Sequence, residues 1–290
     1  MNRFQIFSDS TTDLTEEMAS SWNVMVVPTD FMVAGRTYRE FPDRREMDPA
    51  EFYRIIRKGE MPKTAVINPS RFIEYFTPVL QDGLDILYIV FSSGLSVTMQ
   101  NALIAARELK ESFKDRVICI VDTLSVSLGG ALLVRQAARM RDEGSTMEEI
   151  QQWVLENRLK VCHWFTVDDL NHLRRGGRIT ATSALAGGVL FIKPILRVSD
   201  EGTLEPVEKV RGRQPSLDRL VSHVLEATGE EGQQTIMIAH ADCLKDAQYL
   251  KQELEQRCKV QEIIISDIGA VIGAHTGPGA VAVFCFGKNR

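Results

Sequence analysis

The chain has 290 residues, of which 44% are hydrophobic and 25% are charged. These proportions are typical of globular proteins, so they exclude intrinsic disorder, and the length fits two domains or one large domain. Lysine and arginine together number 34, against 39 aspartates and glutamates, which gives a net charge of −5. A mildly acidic chain argues against a dedicated nucleic-acid-binding protein, because such proteins usually carry a basic field.

The segment 268–286 contains no aspartate, glutamate, lysine or arginine. By length alone it could span a bilayer. However, four glycines and a proline interrupt it, and His275 lies near its middle. We therefore expect the end of a strand, a glycine-rich loop and a final buried strand. The second charge-free run, 179–192, is too short to span a membrane, and the N-terminus lacks the apolar core of a signal peptide.

The cysteines and histidines show no spacing that is typical of a metal site. No pair of cysteines forms a Cys-x-x-Cys motif, and the odd number of cysteines fits a reducing compartment. We therefore expect a cytoplasmic protein without a metal or other cofactor. The residues concerned are Cys119, Cys162, Cys243, Cys258 and Cys285, and His163, His172, His223 and His240.

The first half of the chain repeats strand, polar turn and helix. Apolar runs predict strands over 4–7, 24–27, 85–91 and 117–121, and periodic patterns predict helices over 14–22, 49–58, 69–80, 97–110 and 129–143. Asp13 or Thr12 is the expected N-cap of the first helix. Residues 28–48 are expected to be irregular. This alternation favours a parallel sheet with helices on both faces.

The second half predicts a further α/β domain. Helices are expected over 147–157, 216–227 and 244–257, and a short one ending at Arg174. Strands are expected over 161–166, 235–239 and 260–266, and residues 200–202 are typical of a hairpin turn. We place the domain boundary near 155–160, which gives an N-terminal domain over 1–158 and a C-terminal domain over 159–290.

Polar residues follow three predicted strands of the first half, at 9–10, 92–93 and 122–123. Ligands of open parallel sheets bind at the carboxyl ends of the strands. The stretch 92–96, SSGLS, also precedes a predicted helix, whose unpaired N–H groups and dipole favour a carboxylate or phosphate. The alternative interpretation is an ordinary serine N-cap in a tight turn, and position alone does not separate the two.

Three further features leave alternatives open. Asn68 before Pro69 is typical of a helix cap, while spacing alone does not decide whether Thr64 contacts a ligand. His275 lies among glycines that would let a ligand approach, although a lone histidine is more often structural. The arginines beside glycine suit carboxylate or phosphate, or form a solvated surface patch. They are Arg174, Arg175, Arg178, Arg211 and Arg213.

Seven separated motifs resemble, in order, those of the DegV family of bacterial fatty-acid-binding proteins, and the resemblance covers essentially the whole chain. Three positions, Ala65, Val97 and Met99, differ from the residues usual in that family. The motifs are DSTTDL at 9–14, PKTAVINP at 62–69, SSGLS at 92–96 followed by Thr98, DDL at 168–170 with RGGRI at 175–179, KPIL at 193–196, EKVR at 208–211 and HTGPG at 275–279.

The resemblance implies a two-domain α/β fold, with an N-terminal parallel sheet, a second α/β domain and a long-chain fatty acid between them. It implies that Thr64, Ser93, Ser96 and His275 bind the carboxylate. It further implies a carrier without catalysis of its own, which presents the carboxylate to a partner kinase. The resulting acyl-phosphate would serve phospholipid synthesis, and Arg178 and Arg211 would serve kinase docking or phosphoryl transfer.

Two other functions remain open at this point. One is an esterase or thioesterase that uses Ser93 and His275, although the chain lacks a Gly-x-Ser-x-Gly nucleophile elbow. The other is a sensor of a small polar ligand, which would require a hydrophilic cleft between the domains.

Overall fold

The computed structural model describes residues 3–179, 191–228, 234–288 and 290. Its strands are β1 (Phe4–Asp9), β2 (Val24–Val27), β3 (Thr29–Val33), β4 (Arg36–Glu40), β5 (Lys63–Thr64), β6 (Asp85–Val90), β7 (Ile118–Asp122), β8 (Val161–Thr166), β9 (Ile192–Val198), β10 (Leu204–Arg211), β11 (Gln234–His240), β12 (Val260–Asp267) and β13 (Val281–Phe286). Its helices are α1 (Glu16–Ser21), α2 (Pro49–Arg57), α3 (Pro69–Gln81), α4 (Thr98–Ser112), α5 (Leu128–Asp142), α6 (Met147–Asn157), α7 (Asn171–Arg175), α8 (Arg213–Thr228), α9 (Leu244–Arg257) and α10 (Ala270–Thr276).

The first sheet has four strands in the order β2-β1-β6-β7, and every pair is parallel. All six residues of β6 are buried, as expected for a strand covered on both faces. Helices α3 and α5 pack against β6, and α4 and α6 pack against β7. The predicted parallel α/β organisation of the first half is confirmed.

The second sheet has six strands in the order β10-β9-β8-β13-β11-β12. It is mixed, because β11 and β12 are parallel while the other pairs are antiparallel. Strands β9 and β10 form the predicted hairpin around residues 200–202. Helices α8 and α9 cover this sheet through a separate apolar cluster that includes Leu220, Ile236 and Leu250, whereas α5 packs on β8, β11 and β13.

The main hydrophobic core is continuous from the first sheet to the second. It includes Leu87 of β6, Leu132 of α5 and both Phe165 and Phe284 of the second sheet. The first sheet ends with β7 and the second begins with β8 at Val161. The boundary between residues 158 and 159 therefore falls in the connection between the two sheets, and it stays a prediction.

The expectation that residues 28–48 are irregular was wrong, because β3 and β4 form there and pair with β5 in a three-stranded sheet. Phe31 and Val33 are buried while Met32, between them, is 46% exposed. This alternation is typical of a strand with one buried face. Met32 puts an apolar residue on the exposed face of β3, so the period of two is hidden in the sequence.

Two expected local structures differ in the fold. Helix α1 begins at Glu16 and is capped by the side chain of Thr15, so neither Asp13 nor Thr12 is its N-cap. The expected glycine-rich loop after β12 contains helix α10, and His275 lies in the last turn of that helix. Asp13 is buried instead, and its carboxylate accepts a hydrogen bond from the backbone N–H of Gly269 at 2.8 Å. Most of the charge-free run 179–192 lies outside the described residues.

Candidate functional site

A cavity that opens to solvent lies between the two sheets and alongside α10. Both sheets contribute apolar walls, since Phe91 follows β6 while Phe165 and Phe284 belong to β8 and β13. Ile272 lines it from α10, and Val66 lines it from the segment after β5. A predominantly apolar cavity with few polar groups is the usual form of a small-molecule site. This lining does not fit the hydrophilic cleft that a sensor of a small polar ligand requires.

One polar pair in the cavity wall joins two distant parts of the sequence. Strand β5 pairs with β3 and places Thr64 opposite Phe31, and α10 brings His275 against it. The Oγ1 of Thr64 lies 2.9 Å from Nε2 of His275, within hydrogen-bond distance. The sequence left the role of Thr64 undecided, and the fold places it with His275 on the same cavity.

Burial, with a smaller effect of the nearby Arg178 charge, lowers the pKa of His275 to about 4. The imidazole is therefore neutral at pH 7. A neutral imidazole that donates Nε2–H to Thr64 leaves the threonine hydroxyl hydrogen available for another acceptor. The other ring nitrogen of His275, Nδ1, is buried and has no hydrogen-bond partner among the described residues. The pair can thus offer a hydroxyl donor to a ligand without carrying a charge.

The glycine motif at 175–179 packs directly on this imidazole. A Cβ atom at Gly176 would lie 2.3 Å from Nδ1 of His275, so only glycine allows this approach. Arg178 lines the cavity two residues further on, is half-buried, and donates a hydrogen bond from Nη1 to the carbonyl of Gly176. Burial lowers the pKa of Arg178 from its usual value.

The two serines predicted to bind a carboxylate have different surroundings. Ser96 lines the cavity, and its Oγ lies 2.9 Å from Oγ1 of Thr98. Ser93 donates from its Oγ to Asp122 at 2.5 Å, and its backbone N–H donates to the same carboxylate. Ser93 is not among the described side chains that line the cavity. Val97, which immediately precedes α4, makes no side-chain hydrogen bond to the helix. The Oγ of Ser96 accepts a hydrogen bond from the backbone N–H of Thr98, the first residue of α4, at 3.2 Å, so this serine also serves the beginning of the helix.

The structure does not form the arrangement that the esterase alternative needs. A nucleophilic serine requires a base within hydrogen-bond distance. Nε2 of His275 is paired with Thr64, and the hydroxyl of Ser93 is paired with Asp122. Arg211, the other predicted docking residue, is exposed at the end of β10.

A buried group that no sequence pattern indicated holds the helix of His275 in place. Glu40 accepts hydrogen bonds from the backbone N–H groups of Ala270, at 2.5 Å, and Val271, at 2.9 Å. Arg44 pairs with Glu40 at 2.6 Å. Asp13 accepts a hydrogen bond from the backbone N–H of Gly269, the residue before Ala270. Burial raises the pKa of Glu40, and burial together with the charge of Glu40 raises the pKa of Asp13 to about 7. Asp13 belongs to the motif at 9–14, whereas Glu40 stands in the segment that was expected to be irregular.

Two features are absent from the described residues. They contain no group of three or more histidine, cysteine, aspartate or glutamate side chains that could hold a metal ion. Nor do they include a helix whose length and apolar character would allow it to cross a membrane.

Two α/β units packed around a predominantly apolar cavity define the structural class of this protein. A family model described as "Uncharacterised protein, DegV family" matches residues 3–288, so the chain belongs to the DegV family. It is 42% identical over 290 residues to a DegV domain-containing protein of Clostridium perfringens, covering all of this chain and 99% of that relative.

Solved structures agree over nearly the whole chain. A DegV lipid-binding protein from Thermotoga maritima has a TM-score of 0.86 and 29% identity, covering 99% of each chain. A fatty-acid-binding DegV family protein from Thermus thermophilus has a TM-score of 0.88 and 29% identity, covering 98% of this chain and 99% of that one. The expected DegV-like fold is confirmed, and relatives of this fold bind fatty acids.

Proposed function

We propose that this protein binds a long-chain fatty acid in the cavity, with the carboxylate at the Thr64–His275 pair. The observation that carries the proposal is this partly buried hydroxyl–imidazole pair, 2.9 Å apart, in the wall of a predominantly apolar cavity. An amphipathic ligand with one anionic end fits such a lining. The fatty acids bound by DegV relatives support the same ligand class.

The energetics favour an acyl chain with its head group paired. Burial of each methylene contributes roughly 0.8 kcal/mol, so a long chain gains on the order of 10 kcal/mol before the costs of binding. A buried carboxylate without donors would cancel much of this gain. The hydroxyl of Thr64 supplies one donor, and Ser96 lines the same cavity with a second hydroxyl. The nearby Arg178 adds a favourable positive charge.

Ser93 has a supporting place in this proposal. Its hydroxyl would have to leave Asp122 in order to reach a carboxylate. We therefore assign Ser93 to fixing the loop that carries Ser96, through the two hydrogen bonds to Asp122.

The protein would have no catalysis of its own and would act in the cytoplasm, where it presents the bound carboxylate to a partner kinase for acyl-phosphate formation. The acyl-phosphate would then enter phospholipid synthesis. Arg178, half-buried on the cavity, and Arg211, exposed at the end of β10, are the residues proposed for kinase docking or phosphoryl transfer.

The experiment is mass spectrometry of the gently denatured, purified protein, paired with an acyl-ester hydrolysis assay. We expect near-equal amounts of free fatty acid and protein, and no hydrolysis. Ester hydrolysis that disappears in Ser93→Ala would overturn the carrier and support the esterase. A protein that retains no lipid and does not take up added fatty acid would contradict the proposal as a whole.

A further inference from the structure

The cavity has a second polar end, away from Thr64 and His275. Ser127 and Thr11 line the cavity there, and Ser127 donates to Asp13, which also holds the backbone of Gly269 at the beginning of α10. His275 lies six residues after Gly269, which corresponds to about 9 Å along the helix axis. The cavity therefore runs along α10, from the carboxylate-binding pair to this far end.

His163 stands in the wall at the far end. It lies on β8 opposite Phe284 of β13, and the two rings meet edge to face at 5.5 Å. Its Nδ1 lies 2.9 Å from the carbonyl oxygen of Val161, and the backbone N–H of Val126 donates to its Nε2 at 3.4 Å. Burial holds the pKa of His163 well below its usual value. Because both ring nitrogens are engaged with the backbone and the ring is neutral, the imidazole offers an acyl chain an uncharged surface.

Gly129 packs directly against the imidazole. A Cβ atom at Gly129 would lie 2.1 Å from Nε2 and 2.6 Å from Cδ2 of His163. The backbone of the first turn of α5 is thus in direct contact with the ring. The ring therefore has no free space on the side of Gly129.

We propose that His163, held in place by Gly129, is the end wall of the cavity and determines the length of acyl chain that the protein prefers. This inference rests on the proposed function, because it concerns the apolar end of the same ligand. A chain that reaches the ring gains no further burial by adding carbons, and a longer chain must bend or leave its carboxylate out of place.

The experiment measures the affinities of saturated fatty acids of increasing length by competition against a fluorescent fatty acid. Each buried methylene changes the affinity roughly fourfold. A shift in the position of the end wall should therefore change which chain length binds most tightly. His163→Ala removes the ring, and we expect the preferred chain to become longer. Gly129→Ala places a methyl group where the ring now lies and displaces it, and we expect the preferred chain length to change.

His223→Ala is the matched control. His223 is also a buried histidine against β8, but its ring stacks on Trp164 at 3.7 Å, on the opposite face of the strand. This variant should keep the rank order of chain lengths. Circular dichroism checks the fold of each variant, and if His163→Ala does not fold, His163→Phe takes its place with an expected shift to shorter chains.

The outcomes separate the inference from the proposed function. If the folded His163 and Gly129 variants keep the wild-type rank order of affinities for the different chain lengths, His163 is not the end wall. The proposed function would not be affected by that result. A shift of the same size in His223→Ala would also overturn the end wall. A wild-type protein that binds no fatty acid of any length would overturn the proposed function itself.

Discussion

Oγ1 of Thr64 lies 2.9 Å from Nε2 of His275, although 211 positions of sequence separate the two residues. The contact joins β5, in the first half of the chain, to α10, near its end. It also places a hydroxyl beside a neutral imidazole in an apolar cavity. The proposed fatty-acid carboxylate would bind at this contact.

Thr64→Val removes the hydroxyl and keeps the shape of the side chain. A hydrogen bond to a charged group contributes roughly 1.5–3 kcal/mol, so we expect the affinity for a fatty acid to fall about 10- to 150-fold. Competition against a fluorescent fatty acid measures the change. Thr235→Val is the control, because that hydroxyl bonds to Arg135. If Thr64→Val and wild type bind the fatty acid with equal affinity, Thr64 does not bind the carboxylate.

Gly176→Ala and Gly177→Ala form a matched pair. Gly176 has φ near −70°, which alanine tolerates, but its Cβ would collide with the ring of His275. Gly177 has φ near +71°, which strains alanine, but a Cβ there would meet no atom within 4 Å. We expect Gly176→Ala to reduce fatty-acid affinity at least about tenfold, the effect of losing one or two hydrogen bonds, and Gly177→Ala to reduce mainly the free energy of unfolding, by about 1 kcal/mol. The reverse assignment of affinity and stability losses would contradict the close contact of Gly176 with His275.

The pKa of His275 predicts a pH dependence of stability. Its folded value of about 4 lies below the usual 6.5, so the unfolded chain binds a proton more readily between these values. The stabilising effect of a neutral His275 is complete above pH 6.5 and is lost as the pH falls towards 4, by up to about 3 kcal/mol. Denaturant unfolding of wild type and His275→Gln over this range measures it as the difference between the two proteins.

That comparison is needed because Asp13 acts in the opposite sense. Its pKa is raised from 3.8 to about 7, so its contribution is present at low pH and is lost as the pH rises from about 4 to 7. The Asp13 effect cancels between wild type and His275→Gln. A difference between the two proteins that stays constant from pH 7 to pH 4 would show that His275 is not held neutral by burial.

Glu40→Gln tests the anchoring of α10. The change leaves the guanidinium of Arg44, 17% exposed, without its charged partner and weakens the hydrogen bonds to Ala270 and Val271. We expect the free energy of unfolding to fall by about 3 kcal/mol, and added fatty acid to restore part of it. The surface pair supplies the control: Glu51→Gln, beside Arg54, should cost less than about 1 kcal/mol. Equal losses in the two variants would show that Glu40 is no stronger an anchor than a surface carboxylate.

Local sequence patterns predicted those helices and strands whose formation depends on residues close together in the chain. The apolar run of β6, the periodic helix α6 and the Asn68 cap of α3 all formed, because burial and capping act over a few residues. The ordered motifs predicted the family and hence the fold. The apolar cavity itself followed from the resemblance rather than from any local pattern.

The remaining features depend on contacts between distant residues. Helix α10 contains a glycine and has only seven residues, and carboxylates 230 and 256 positions away cap its first turn. No local pattern contains those contacts, so the segment appeared to be a loop. In the same way, no local pattern shows that the hydroxyl of Ser93 is already paired, because its partner Asp122 lies 29 positions away in the chain.

The most direct test of the central claim is a crystal structure of this protein with a long-chain fatty acid bound. We predict one carboxylate oxygen within hydrogen-bond distance of Oγ1 of Thr64, with the carboxylate beside His275 and the acyl chain running towards His163. A fatty acid bound in the reverse direction, with its carboxylate at Ser127 and His163, or bound outside this cavity, would contradict it.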